Sequence, residues 1–289
     1  MNAVLVITAA RVLAADDIQA ALRVLTKRGF KAGAPKSLGA QAAEIPFQDV
    51  GAARTRPVVD WLPDRAIDLN IVPLEGREKR LLIADMDSTI IPVECIDELA
   101  DYAGVKDRVA DITERAMRGE LDFEAAIRER VGLLRNLPET ALEQCYAERV
   151  SLNPGAKTLI STMNARGAMT ALVSGGFTFF TSRVAAEAGF QMNRANTLLA
   201  KDGVLTGDVG LPILGRQAKL DSLNALCAEG GFGADAVIAV GDGANDLSMI
   251  RAAGLGVAYH AKPALMAEAD AVLNHSDLTA LLALQGLAT

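Results

Sequence analysis

Arg80–Glu94 reads RLLIADMDSTIIPVE. The run Leu81-Leu82-Ile83-Ala84 is short, continuous and apolar, as a buried strand should be. Asp85 and Asp87 follow it, with Thr89 two places further on. In open α/β sheets ligands sit outside the carboxyl ends of the strands, so both carboxylates fall where chemistry is carried out. If the chain stays extended past the strand, residues two apart point the same way and both groups face one pocket. The plainer reading is an Asx-type turn that opens a helix near Thr89. The rest of the chain decides between them.

Two further apolar runs end in polar, glycine-rich exits. Met169–Val173 leads into Ser174-Gly175-Gly176, read as a tight turn whose free backbone N–H groups hold an anion, or as an ordinary helix N-cap. Ala236–Val240 leads into Gly241-Asp242-Gly243-Ala244-Asn245-Asp246. Two aspartates and an asparagine in such a loop point to a cation bound by oxygen. A dinucleotide fingerprint is excluded, because Asp246 stands where the third glycine belongs. Lys219 opens a helix over Leu220–Glu229, where a positive charge opposes the macrodipole unless an anion lies close by. Thr197–Val209 reads as a hairpin turning at Lys201-Asp202-Gly203. Gly254–Tyr259 and Ala271–Leu273 extend the sheet.

Composition narrows the partners. The 289 residues carry a formal charge of −7, with Lys and Arg scattered rather than striped, which argues against nucleic acid and for a small-molecule substrate. No apolar run approaches the length needed to span a membrane, and the first residues lack the basic region of a signal peptide, so a cytoplasmic protein is expected. Cys95, Cys145 and Cys227 are far apart and form no C-x-x-C pair, as buried thiols in a reducing compartment would be. The two histidines, His260 and His275, offer no zinc-site spacing and no evident catalytic triad.

Residues 1–75 read as a small separate α+β unit: a strand at Ala3–Thr8, a helix from Asp16 and Asp17 to Arg28 closed by Gly29, a strand-like patch at Glu44–Gln48, a helical piece at Pro57–Leu62 and a strand at Ala66–Val72. It carries no catalytic constellation. A structural or homodimerisation appendage and a ligand-sensing module both remain open for it. Leu74–Lys79 is the joint. Residues 95–150 are dense in charge, with apolar positions at helical spacing (Ile96, Leu99, Ala100, Ala103), broken at Gly104, Gly119 and Pro138. They read as a helical cap inserted into an α/β sheet after its first strand.

Three strand exits thus supply acids, anion-binding donors and a cation site to one pocket, with a lysine ahead of the third. Phosphoryl transfer requires that set. A carboxylate attacking a phosphate monoester meets like charge, about 4 kcal/mol per unit pair at ~4 Å and effective ε of 20. Mg²⁺, a lysine and serine or backbone donors offset that repulsion. A second aspartate near a like charge has its pKa raised, so it can give a proton to the leaving oxygen and take one from water.

The ordered motifs Asp85-Met86-Asp87-Ser88-Thr89, Ser174-Gly175, Lys219 and Gly241–Asp246 resemble those of the haloacid dehalogenase superfamily. The resemblance narrows to its phosphoserine phosphatase branch through Val93-Glu94, Met117–Phe123, Arg128–Val131 and Gly256–Pro263, and covers residues 77–289. It implies a doubly wound parallel sheet with a helical cap, and some bacterial members carry an ACT-like N-terminal domain. It further implies Asp85 as the nucleophile, Asp87 as general acid and base, and Mg²⁺ held by Asp85, the Asp87 carbonyl and Asp242. Ser174, Gly175 and Lys219 would hold the phosphoryl oxygens, Asn245 would contact substrate, and Asp246 would orient the lysine or a metal-bound water. Glu94 and Arg130 would grip the ammonium and carboxylate of an amino acid. Met117 and Phe123 would pack over it. Hydrolysis of O-phospho-L-serine in serine biosynthesis is the expected activity; a same-fold enzyme for a close analogue such as homoserine phosphate is the alternative.

Overall fold

Ala3–Thr8, AVLVIT, forms a strand (β1) that is buried at every position. In the computed structural model of the chain, residues 1–48, 56–117 and 120–289 are described. Helix α1 (Ala15–Lys27) follows, then the short strands β2 (Lys31–Ala32) and β3 (Lys36–Ser37), β4 (Ala42–Gln48), β5 (Arg56–Pro57) and β6 (Asp68–Pro73). They make an antiparallel sheet in the order β2-β4-β1-β6-β5, with β3 also on β4. The helix expected over Pro57–Leu62 is a single 3₁₀ turn at Val59–Trp61. Ala14, at the N-cap of α1, has no side-chain acceptor. Asp17 reaches back instead, accepting the Ala14 N–H at 3.1 Å.

The period of β1 explains its complete burial. Ala3, Leu5 and Ile7 pack with Leu25 of α1, Phe47 and Ile71, while Val4 and Val6 join the core of the rest of the chain. Strand residues alternate between faces, so an all-apolar strand needs a cover on each side.

The second sheet begins with β7 (Leu81–Ala84). Four helices follow, α2 (Cys95–Tyr102), α3 (Lys106–Met117), α4 (Phe123–Gly132) and α5 (Glu139–Arg149), where the cap was expected. The chain then returns through α6 (Ala156–Ala165), β8 (Met169–Phe177), α7 (Thr178–Ala188) and β9 (Met192–Asn196). After the hairpin β10 (Leu198–Lys201) and β11 (Val204–Val209) come α8 (Arg216–Gly230), β12 (Val237–Gly241), α9 (Leu247–Ala252), β13 (Leu255–Tyr259), α10 (Pro263–Met266), β14 (Ala271–Leu273) and α11 (Ala280–Leu284).

The strands are parallel in the order β14-β13-β12-β7-β8-β9. Leu82, Leu172 and Val240 face one helical layer, and Leu81, Ile83, Val173 and Ala239 face the other with Leu223 and Leu226 of α8. The sheet is therefore doubly wound. The chain travels outward from β7 in both directions, which makes β7 and β12 flank the topological switch point. Ala84 stands opposite both Val240 and Leu172, so the three polar exits open side by side.

Three local expectations are corrected. Ser174-Gly175-Gly176 is not a tight turn: β8 runs on to Phe177, which regains its pairing with β9 at Asn196 after a register shift. Helix α8 starts at Arg216, so Lys219 lies at the end of its first turn rather than ahead of it. No helix opens near Thr89; α2 starts at Cys95.

Two junctions matter later. The hairpin is bonded to the segment between α4 and α5: Asn136 donates to Leu205 O at 2.9 Å, Leu205 to Leu137 O at 2.9 Å, and Glu139 to Gly203 O at 3.0 Å. The N-terminal sheet joins the core at β14, where Asn70 bonds the backbone of Val272 and Asp68 accepts from Asn274 N, His275 N and Ser276 Oγ. Among the described residues no helix is long and apolar enough to cross a membrane.

Candidate active site

Asp85 is the first residue beyond β7, and its N–H still donates to Val240 O at 3.0 Å, so the backbone remains in the sheet while the side chain clears it. Lys219 reaches across from α8 and places Nζ 2.6 Å from Asp85 Oδ1 and 2.5 Å from Asp246 Oδ1. The other Asp246 oxygen accepts the N–H groups of Asp242 at 3.2 Å and Gly243 at 3.1 Å, which folds the glycine-rich loop around it. Asn245 Nδ2 approaches Asp85 Oδ2 at 3.4 Å. Asp85, Lys219 and Asp246 are buried.

Charge at this point is unbalanced. Asp85, Asp242 and Asp246 offer oxygens within 4.8 Å of one another, and among the described residues Lys219 is the one ammonium ion-paired with them. Burial and the neighbouring Asp246 push Asp85 above the usual carboxylate range, with Lys219 opposing. Burial acts to lower Lys219, but Asp246 and Asp85 outweigh it and keep the ammonium charged. Asp242 is pushed up to about 7 by burial, then by Asp246 and Glu94. An all-oxygen donor set with excess negative charge suits a hard divalent cation.

Asp87 is buried too, but it faces the cap. Its Oδ1 accepts the Cys95 N–H at 2.9 Å, at the first turn of α2, and its Oδ2 accepts the Ser174 hydroxyl at 3.1 Å. Ser174 Oγ in turn accepts Gly176 N–H at 2.8 Å. Burial raises Asp87 to about 6, and Glu94 is the next cause. A raised pKa was expected from a nearby like charge; burial is the larger cause and the like charge of Glu94 the next. Ser88 has φ +54°, in the left-handed region, which turns the chain out of the sheet. Its hydroxyl donates to Glu94 Oε1 at 2.6 Å, so Glu94 stands at the rim of the same pocket.

The cap residues are placed unequally. Half-buried Phe123 sits over the end of β8: a Cβ built on Gly175 would lie 3.2 Å from its ring and one on Gly215 3.0 Å from it. Arg130 is half-buried, and Nε donates to Ala126 O of its own helix at 3.3 Å. No carboxylate among the described residues forms an ion pair with it, although Asp97 and Glu94 are near enough to stabilise its charge. The side chain of Met117 lies outside the described residues. The structure thus brings Asp85, Asp242, Asn245, Asp246 and Lys219 together, sets Asp87 and Ser174 beside them, and leaves Glu94 and Arg130 unpaired with each other.

One buried polar residue was not anticipated. Asn196 ends β9, and its Nδ2 donates to Gly175 O at 2.8 Å and Leu214 O at 3.2 Å while its Oδ1 accepts Leu214 N–H at 2.7 Å. It ties the β8 exit to the loop ahead of α8. A polar residue just before a hairpin reads as part of the turn, and nothing in its neighbours marks it otherwise.

A phosphoserine phosphatase of Haemophilus influenzae is 48% identical over 204 residues, 71% of this chain and 65% of the relative, so the match spans slightly under two thirds of that relative's length. A solved structure of a phospho-aspartyl intermediate analogue of phosphoserine phosphatase is 40% identical, with a TM-score of 0.66 over 71% of this chain and 98% of its own. A probable phosphoserine phosphatase from Vibrio cholerae, solved without ligand, is 32% identical with a TM-score of 0.81, covering 99% of this chain and 87% of its own. Residues 82–251, more than half of the chain and reaching from within β7 to within α9, match the haloacid dehalogenase-like hydrolase family, and the protein belongs to that family.

Proposed function

We propose that this protein hydrolyses O-phospho-L-serine to L-serine and phosphate, as the last step of serine synthesis in the cytoplasm. The observation that carries the reading is the contact of Asp85 with Lys219 at the end of β7, beside an acidic loop and under a cap that presents Glu94 and Arg130. The relatives named above bear the name phosphoserine phosphatase, the Vibrio cholerae protein as a probable one.

In the reading, an Asp85 oxygen attacks phosphorus and the bond from phosphorus to the serine oxygen breaks. Asp87 gives its proton to that oxygen; burial and Glu94 raise it to about 6, which leaves a fraction of it protonated near neutral pH. Water then attacks the aspartyl-phosphate, Asp87 takes the water's proton, and Asp85 is released with phosphate. Lys219 balances charge on the transferring group, with the Ser174 hydroxyl and the Gly175 backbone as further donors. Asn245 lies within reach of the same oxygens. Asp85, the Asp87 carbonyl and Asp242 would hold Mg²⁺, which supplies charge neutralisation to the phosphoryl oxygens when bound. Asp246 acts through Lys219 and the loop.

The cap chooses the substrate. Glu94 meets the ammonium of phosphoserine and Arg130 its carboxylate, and among the described residues no carboxylate forms an ion pair with the Arg130 guanidinium, whose Nε donates to Ala126 O. Phe123 keeps water out.

Phosphate release with Mg²⁺ tests this directly. Phosphoserine should turn over far better than phosphoethanolamine, which lacks the carboxylate, and Asp85→Asn should abolish both. Arg130→Ala should cost phosphoserine at least tenfold more than phosphoethanolamine. Turnover of an aryl phosphate without turnover of phosphoserine would keep the chemistry and sink the substrate.

A further inference from the structure

Gly215 is the N-cap of α8 and has φ −100° and ψ −159°, an extended conformation open to any residue. It makes no side-chain cap. Serine would serve the helix better, because its hydroxyl accepts an orphan N–H of the first turn. Neither backbone geometry nor helix stability therefore asks for glycine here.

Space does. A Cβ on Gly215 would stand 3.0 Å from Cδ1 of Phe123, and one on Gly175 would stand 3.2 Å from Cζ of the same ring. One aromatic ring rests on two bare backbones, Gly175 next to Ser174 and Gly215 four residues ahead of Lys219. Asn196 holds both in place, since it binds Gly175 O and both polar groups of Leu214, the residue before Gly215. The seat cannot readily recede from an added side chain. The ring must yield, and the ring belongs to the cap: Phe123 is the first residue of α4, anchored by Asp122, which accepts Ala125 N–H at 2.7 Å.

We propose that Gly215 is a positioning residue for closure of the cap: its missing side chain lets the Phe123 ring settle over Gly175, and any side chain there holds the cap off the site. The inference rests on the phosphoserine phosphatase reading for the kinetic half of its test only.

The decisive variant is Gly215→Ser in the full-length, Mg²⁺-loaded protein, because serine restores the helix cap while filling the seat. Thermal stability should stay level or rise. Exchange of the amides of Phe123–Gly132 with deuterium should accelerate, and kcat/KM for phosphoserine should fall about tenfold, a cost typical of a small misplacement near the chemistry. In a Phe123→Ala background the same change should alter either quantity by less than about twofold, since the ring it displaces is gone. Unchanged exchange in Gly215→Ser, or equal effects in both backgrounds, would overturn the proposal. The exchange readout needs no substrate, so a chain without phosphoserine turnover would defeat the functional reading while the seat is still decided by exchange alone.

Discussion

Asn70 and Val272 exchange two hydrogen bonds across the boundary between the sheets, from Asn70 Nδ2 to Val272 O at 3.0 Å and from Val272 N to Asn70 Oδ1 at 2.9 Å. One side-chain amide does for β14 what a neighbouring strand would do. Asn70→Ala leaves the Val272 N–H and C=O buried and unpaired, at a cost of about 1–3 kcal/mol for each group. Urea unfolding should register a loss of at least ~2 kcal/mol; a loss under ~0.5 kcal/mol would show that the amide is not needed for the joint.

Acid should loosen the N-terminal unit through Asp17. Its carboxylate pairs with Arg11 at 2.7 Å and Arg65 at 2.8 Å and accepts the Ala14 N–H, and these bonds, Arg11 first, hold it down to about 2 against the cost of burial. The native value lies below the unfolded one near 3.9, so the stabilisation is whole above about pH 4 and is lost as pH falls toward about pH 2, some 2 kcal/mol in all. Asp17→Asn should be less stable than the native protein at neutral pH by about that amount, with the gap closing in acid. A gap that stays constant down to about pH 2 would contradict the assignment.

Mg²⁺ should stabilise the folded protein, because the three carboxylates around one ammonium gain a counter-charge. Near a hundredfold excess over the dissociation constant the gain is about 2.7 kcal/mol, a melting shift of several degrees that a chelator reverses. Asp242→Asn should remove most of that shift. A shift of equal size in the variant would place the ion elsewhere.

Asp246 is expected to matter without touching substrate. Asp246→Ala strips Lys219 of one partner and leaves the Asp242 and Gly243 N–H groups unbound. Steady-state kinetics should show a loss of about 10²–10³ in kcat and a higher Mg²⁺ concentration for half-activation. Asp246→Asn keeps an oxygen for the loop but not the charge, so the Mg²⁺ requirement should recover more than kcat does.

The central strands were legible because helices cover both of their faces. Leu81–Ala84 and Ala236–Val240 are apolar throughout and Met169–Val173 is apolar but for the buried Thr170, so the polar residues at their exits stood out by contrast. Edge strand β9 was not legible: Met192–Asn196 reads MNRAN, mostly polar, since an edge needs little apolar cover. Ser174-Gly175-Gly176 looked like a turn because two glycines usually break a strand, whereas renewed pairing of Phe177 with Asn196 carries the strand through. The apolar character of β1 announced a strand but not that Val4 and Val6 face a different core from Leu5 and Ile7. Contacts between distant segments leave no local trace, and Asn196, Asn70 and the glycine seat of Phe123 are all of that kind.

The bonds between the hairpin and the α4–α5 segment change what the cap is mechanically. The helices enter and leave the sheet on either side of Glu94 and Arg149, and the hairpin, leaving β9 and rejoining α8, is fastened to them at Asn136, Leu137 and Glu139. The cap is hung from two separate pairs of chain crossings rather than one. A body hung at two places turns about the line between them and has little other freedom. Phe123 is carried on that doubly fastened body, so its place over Gly175 depends on the hairpin as well as on the helices of the cap.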